Sequence, residues 1–132
     1  MEDNLPQEFW EGVEQFNKGQ FYTCHDTLEF LWSEASEPHR TFYQGILQIA
    51  VALYHLNNNN VRGAAILLGE GSNRLQHYPS TYAGIDVNQL LYQSKALLSV
   101  IQRNFPRANN LENLLPEAHK NLKIPQIVSI EG

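Results

Sequence analysis

The sequence has one cysteine, Cys24, in 132 residues. That excludes an intramolecular disulfide framework and any zinc site built on cysteine, and a lone thiol fits a reducing, cytoplasmic setting. The chain is also short of charge: 17% of its residues are Asp, Glu, Lys or Arg, against about 25% in an average soluble domain. Asn and Gln supply polarity in their place. The nine basic residues are scattered from Lys18 to Lys123, and the formal net charge is -5. Nucleic-acid affinity rests largely on Lys/Arg clusters that follow a phosphate backbone, so no nucleic-acid partner is expected. The same negative balance disfavours an anionic membrane surface. No long apolar run is present either. Gly45 to Leu56 is the most apolar stretch, twelve residues with Gln48 and His55 inside it, whereas a membrane span needs roughly 20. Met1 to Asn4 is acidic and polar with no apolar run behind it, so no signal peptide is expected.

What is present is helical periodicity. Apolar residues make up 42% of the chain and recur at helical spacing almost throughout, with no window alternating as a strand would. A first helix is expected from Pro6, burying Phe9, Val13 and Phe16 and stopping at Gly19. A second carries Phe21, Cys24, Leu28, Leu31 and Ala35. A third starts near Pro38, with Ser36 as a candidate cap, and buries Phe42, Ile46, Ile49, Leu53 and Leu56. Its apolar surface extends nearly around the axis, which marks the most buried helix. Asn57 to Asn60 ends it and caps a fourth, expected from Val61 to Tyr78. Gly63, Gly69 and Gly71 in that helix each cost about 1 kcal/mol, and close approach of another helix is the simplest reason for them. Pro79 to Gly84 reads as a loop. Asp86 and Gln89 then make a capping box for a fifth helix through Leu90, Leu91, Leu97, Leu98 and Ile101.

Past Asn104, Pro106, Pro116 and Pro125 interrupt the pattern, with room for one short helix from Pro116 to Lys123. The final stretch carries Ile124, Ile127, Val128 and Ile130 and is expected to lie extended over the bundle or over a neighbouring chain. A shift of 40 residues aligns Phe16, Asn17, Phe21, Cys24 and Leu28 with Leu56, Asn57, Val61, Ala64 and Leu68. The expected architecture is therefore all-α: one domain over residues 1–132, with a core of about 6–104. Two helical hairpins and a fifth helix form a compact bundle, and 105–132 forms an irregular tail.

One constellation carries chemistry. At about 100° per residue, His25, Glu29 and Trp32 share one narrow stripe of the second helix, and Gln44, Gln48 and His55 share one of the third. A helix as apolar as the third exposes little, so its polar residues need partners, and the preceding helix is the natural source. With antiparallel packing His25 comes close to His55, and Glu29 comes level with Gln48. Read as a site, His25 and Glu29 at i and i+4 present an imidazole and a carboxylate together. His55 would complete a two-histidine, one-carboxylate set for a divalent metal such as zinc, manganese or iron. Glu29 could instead serve as a general base beside His25. Read as structure, the same residues form a hydrogen-bonded network that fixes helix register.

Other candidates point to structure. Asp26 lies about 100° from His25 and reads as a solvated helix residue. His39 and His77 fall at helix ends, where exposure is the plain reading, and His119 falls in the tail. Cys24 sits on an apolar stripe and reads as core. No serine lies in a nucleophile elbow, and no phosphate-binding glycine loop is present. Trp10 and Trp32 read as core or groove wall.

His25-Asp26-Thr27-Leu28-Glu29 with Trp32, and Phe42-Tyr43-Gln44-Gly45-Ile46-Leu47-Gln48 running to Tyr54-His55, resemble the signature of the family catalogued as domain of unknown function 309. Gly63-Ala64 with Leu67-Leu68 is similar to that family's next helix, so the resemblance covers roughly Phe9 to Tyr78. It implies a small helical bundle found as a stand-alone intracellular protein, with His25, Glu29, Gln44, Gln48 and His55 as the family's characteristic polar positions. It brings no activity. Asp26 stands where the pattern has glutamate and Ser33 where it has a basic residue, which removes the basis for an anion contact there. The expectation is a non-enzymatic module that takes a peptide, a protein partner or a small ligand between helices at His25, Glu29, Trp32, Gln44, Gln48 and His55, with homo-oligomers left open. The alternative is a hydrolase-like, metal-dependent or acid/base enzyme using His25, Glu29 and His55.

Overall fold

The computed structural model describes residues 5–104 and 124–130. Five helices account for most of them: α1 (Gln7–Asn17), α2 (Phe21–Glu34), α3 (His39–Asn57), α4 (Val61–Leu75) and α5 (Val87–Asn104). A two-residue hairpin, β1 (Thr81–Tyr82) and β2 (Ile85–Asp86), precedes α5. The buried faces follow the apolar spacing. Phe9, Val13 and Phe16 on α1 meet Phe21, Cys24, Leu28 and Leu31 on α2, while α3 buries more residues than any other helix. None of the described helices is long and apolar enough to cross a membrane.

The two hairpins are built alike, and the likeness extends into their turns. Gly19 closes α1 with φ +78°; its N–H reaches the Phe16 carbonyl at 3.0 Å, and the next N–H, of Gln20, reaches Gln15 at 2.9 Å. Forty residues on, Asn59 closes α3 with φ 64°, its N–H on Leu56 at 3.1 Å and that of Asn60 on His55 at 2.8 Å. Both turns are Schellman closures, which need a residue in the left-handed region, and Asn is the residue that tolerates it next best after Gly.

Within the second hairpin, α3 and α4 cross closely where each has a glycine. A methyl on Gly71 would come within 2.8 Å of the Gly45 carbonyl oxygen, and one on Gly45 within 2.9 Å of Leu75. The glycine of α4 that faces nothing tight is Gly69, whose nearest neighbour would be Leu98 at 3.9 Å.

Several local expectations need correction. Ser36 does not cap α3 through its side chain; the Glu37 carboxylate takes the Thr41 N–H at 3.1 Å and its hydroxyl at 2.7 Å. The α4 helix ends at Leu75 rather than Tyr78. The stretch read as a loop contains the β1–β2 hairpin, turned by Ala83 (φ 52°) and Gly84 (φ 84°). Two consecutive positive φ values give the turn that matches strand twist, but two-residue strands are too short to show alternation. Asp86 caps α5 as expected, accepting the Gln89 N–H at 2.9 Å.

Residues 124–130 lie extended across the bundle. The Asp86 N–H donates to Val128 at 2.8 Å, the Ile130 N–H donates to Gly84 at 2.7 Å, and Ile85 bridges Ser129. Ile127 is buried, and the Asn17 side-chain amide both donates to its carbonyl and accepts from its N–H, each at 2.8 Å. The short helix expected from Pro116 to Lys123 lies outside the described residues.

Candidate functional site

Because α2 and α3 run antiparallel, the start of one meets the end of the other. Phe21, Tyr22 and His25 face Val51, Tyr54 and His55 across a cleft of about 220 Å³. His25 and His55 are half-buried, whereas Tyr22 is 59% and Tyr54 38% exposed. The aromatic rings form a continuous row. Tyr22 stacks on His25 with centroids 6.0 Å apart, lies 5.5 Å from Tyr54, and Tyr54 lies 6.0 Å from His55. The floor is apolar, so hydrogen-bonding capacity at the cleft comes from the two imidazoles and the tyrosine hydroxyls.

Each imidazole has a local partner. Asp26 Oδ1 sits 3.2 Å from His25 Nδ1, and Glu29 Oε1 sits 3.6 Å from His25 Nε2, a distance too long for a good hydrogen bond. Asp26 is thus exposed as expected but also touches His25. On the other wall, Asn60 caps α4: its Oδ1 accepts the Gly63 N–H at 3.0 Å. Its Nδ2 is thereby left to donate to His55 Nδ1 at 3.3 Å.

The remaining predicted site residues lie elsewhere. Gln48 does not come level with Glu29. It turns toward α4, donating to Glu70 at 3.1 Å and accepting from Arg74 Nη1 at 3.0 Å. The geometric reason is the Gly45–Gly71 crossing, which brings α4 close enough that Gly71 sits beside the Gln48 Cβ. Gln44 is half-buried on the same helix. Trp32 is half-buried with the Arg40 guanidinium 4.2 Å over its ring. The structure therefore brings His25 and His55 to one cleft, leaves Glu29 beside His25 but off the cleft lining, and places Gln48 and Trp32 in other contacts.

Two cleft residues escaped the sequence reading. Tyr22 lies one turn before His25 and Tyr54 lies next to His55; an exposed tyrosine beside each candidate histidine was the available signal. His39 also differs from expectation, its Nδ1 being 2.7 Å from the Tyr82 hydroxyl rather than free in solvent. Cys24 is fully buried as expected, and burial pushes its thiol up to about 12.

Comparison with known proteins agrees with the signature. Residues 9–67 match the model of the family described as domain of unknown function (DUF309), and the matched segment contains both walls of the cleft. The chain is 31% identical over 85 residues to an uncharacterized protein, YpuF, of Bacillus subtilis, covering 62% of this chain and 49% of that one. It is 25% identical over 76 residues to an uncharacterized protein of Aquifex aeolicus, covering 57% of this chain and 23% of that one. The chain thus spans about half of the first relative's length and less of the second's.

Proposed function

We propose that this chain is a binding module that seats one bulky apolar side chain of a peptide or protein partner between α2 and α3. The observation that carries the reading is the pair of exposed, touching tyrosines, Tyr22 and Tyr54, set between two half-buried histidines. Tyrosines offer large contact area at low entropic cost and recur as binding anchors. The cleft volume of about 220 Å³ is below the roughly 300–1,000 Å³ typical of small-molecule sites, which favours a single inserted side chain over a whole substrate. Asp26 and Glu29, both exposed beside His25, favour Lys or Arg next to that anchor.

The test is selection from a displayed random-peptide library, with the Tyr22→Ala/Tyr54→Ala variant as counter-target. Enriched peptides should pair an aromatic or branched aliphatic residue with a neighbouring basic one, and should lose at least tenfold in affinity for the variant. Peptides that bind both proteins equally would sink the reading.

A second reading comes from His25, Asp26 and Glu29, whose potential ligand atoms all lie within 4.8 Å of one another. The donor set does not fit one ion in this arrangement. Asp26 faces Nδ1 of the ring and Glu29 faces Nε2, and one ion takes only one nitrogen of an imidazole. His55 does not complete the set, because a histidine ligand holds its other ring N–H on an acceptor, and Asn60 presents a donor to Nδ1. A binding cleft therefore accounts for these residues better than a metal-dependent hydrolase does.

A further inference from the structure

A second cavity, of about 660 Å³, opens where the start of α3 faces the end of α4 and the β1 strand. Its volume falls within the range of roughly 300–1,000 Å³ that encloses small molecules. One wall carries Glu37. Its carboxyl is exposed and held below the usual carboxylate range, first by the Thr41 hydroxyl and then by the Thr41 backbone N–H. The facing wall carries Asn73, Arg74 and His77. Tyr78 and Tyr82 also line the cavity, with centroids 4.9 Å apart and both packed on the buried ring of Phe42. The Tyr78 hydroxyl donates to the Pro38 carbonyl at 2.6 Å, which fixes the ring at the Glu37 end.

Glu37 and Arg74 have opposite charges and share this cavity, yet among the described residues no ion pair joins them. Arg74 is oriented from behind, one N–H on Gln48. The two charges come from separate elements, and Tyr78, Tyr82, Pro38 and Pro79 line the same cavity. A ligand with a single charge would compensate one wall only. A ligand with a cation at one end, a carboxylate at the other and an apolar body compensates both. Ammonium groups are attracted to carboxylates and aromatic rings, and a guanidinium matches a carboxylate in geometry.

We propose that this cavity binds a small zwitterion of the ω-amino-acid class, with its ammonium at Glu37, Tyr78 and Tyr82, its carboxylate at Arg74, His77 and Asn73, and its methylene chain along the tyrosine rings. The site is separate from the α2–α3 cleft and does not depend on it. Most of its α4 and β1 wall lies beyond residue 67, where the family match ends.

The experiment is titration of the isotope-labelled full chain with 6-aminohexanoate, hexylamine and hexanoate, followed by backbone amide NMR. The zwitterion should shift amides over residues 39–41 and 73–78, and each single-charge analogue should bind at least tenfold more weakly. Glu37→Gln should weaken the zwitterion by about tenfold while leaving the amide spectrum folded. Arg74→Met also releases Gln48, so His77→Ala, on an exposed side chain, serves as the second variant for the carboxylate end and should weaken binding severalfold. A single-charge analogue that binds as tightly as 6-aminohexanoate overturns the proposal. So do shifts confined to the Tyr22–Tyr54 cleft, or no shifts at 10-fold molar excess and above.

Discussion

Asn60 sets the tautomer of His55. The Asn60 amide cannot be turned around, because its oxygen is committed to the Gly63 N–H at 3.0 Å, so its nitrogen must face His55 Nδ1 at 3.3 Å. Nδ1 is then the acceptor, and neutral His55 carries its proton on Nε2. One side chain thus caps α4 and fixes what the cleft histidine can donate.

Replacing Asn60 should separate those two roles. Asn60→Ala removes the cap and should cost about 1 kcal/mol in urea denaturation, with an unchanged slope. Asn60→Asp keeps an oxygen for Gly63 but has no N–H for His55. It should retain most of the stability, and because an acceptor then faces Nδ1, nitrogen-resolved NMR should show the His55 proton moving from Nε2 to Nδ1. An unchanged tautomer in Asn60→Asp would mean that something else holds the ring.

The same tautomer bears on metal affinity. Zinc titration against a colorimetric chelator is expected to give equal, weak affinity for the native chain and for His55→Ala. A tenfold loss on removing His55 would restore the His25, Glu29 and His55 set as a real ligand group.

The glycines of α4 should respond in opposite directions. Gly71→Ala drives a methyl to 2.8 Å from a backbone oxygen of α3, and overpacking of this kind costs about 1–3 kcal/mol. Gly69→Ala meets only Leu98 at 3.9 Å, so the gain in helix propensity, up to about 1 kcal/mol, should survive. Melting temperatures of the two variants on either side of the native value would check this, and a stabilised Gly71→Ala would contradict the crossing.

Cys24 gives a pH dependence of known sign. Its folded thiol is pushed up to about 12 by burial, while an unfolded thiol titrates near 8.5. Below about 8.5 both states hold the proton, and the group adds no slope. Above it the unfolded chain loses the proton first, so stability should fall by up to about 1.4 kcal/mol per pH unit. Cys24→Ala should lack that alkaline slope. A native thiol that reacts readily with iodoacetamide at pH 8 would contradict the burial.

The C-terminal stretch should matter to stability. Ile127 is 3% exposed, and removing a buried aliphatic of this size costs about 2–5 kcal/mol. Ile127→Ala is expected near the lower end, since the strand can shift to fill part of the space. Asn17→Ala breaks the two hydrogen bonds to the same residue and should couple to Ile127→Ala non-additively in a double-mutant cycle.

Helix number, order and faces were legible in the sequence because apolar spacing alone dictates them. The 40-residue likeness was legible too, down to the buried pairs Cys24 with Ala64 and Leu28 with Leu68. The partner of Gln48 was not. Periodicity places a residue on a face but does not say which of two flanking helices owns that face, and here the Gly45–Gly71 crossing decided for α4. The grouping of the candidate residues was half legible for the same reason: His25 and His55 share a cleft, while Gln48 and Trp32 are drawn off by Arg74 and Arg40. The cavity at Glu37 and Arg74 was not legible, since it joins residues from a helix start, a helix end and a hairpin too short to read.

The bond between Asn17 and Ile127 spans 110 positions of the chain. The helical hairpins form from neighbours along the sequence and can condense early, whereas a loop of that length closes late and at higher entropic cost. The stretch of residues 124–130 is therefore expected to dock last in folding. By the same logic it should be among the first to let go, and its amides should exchange with solvent sooner than those of α3.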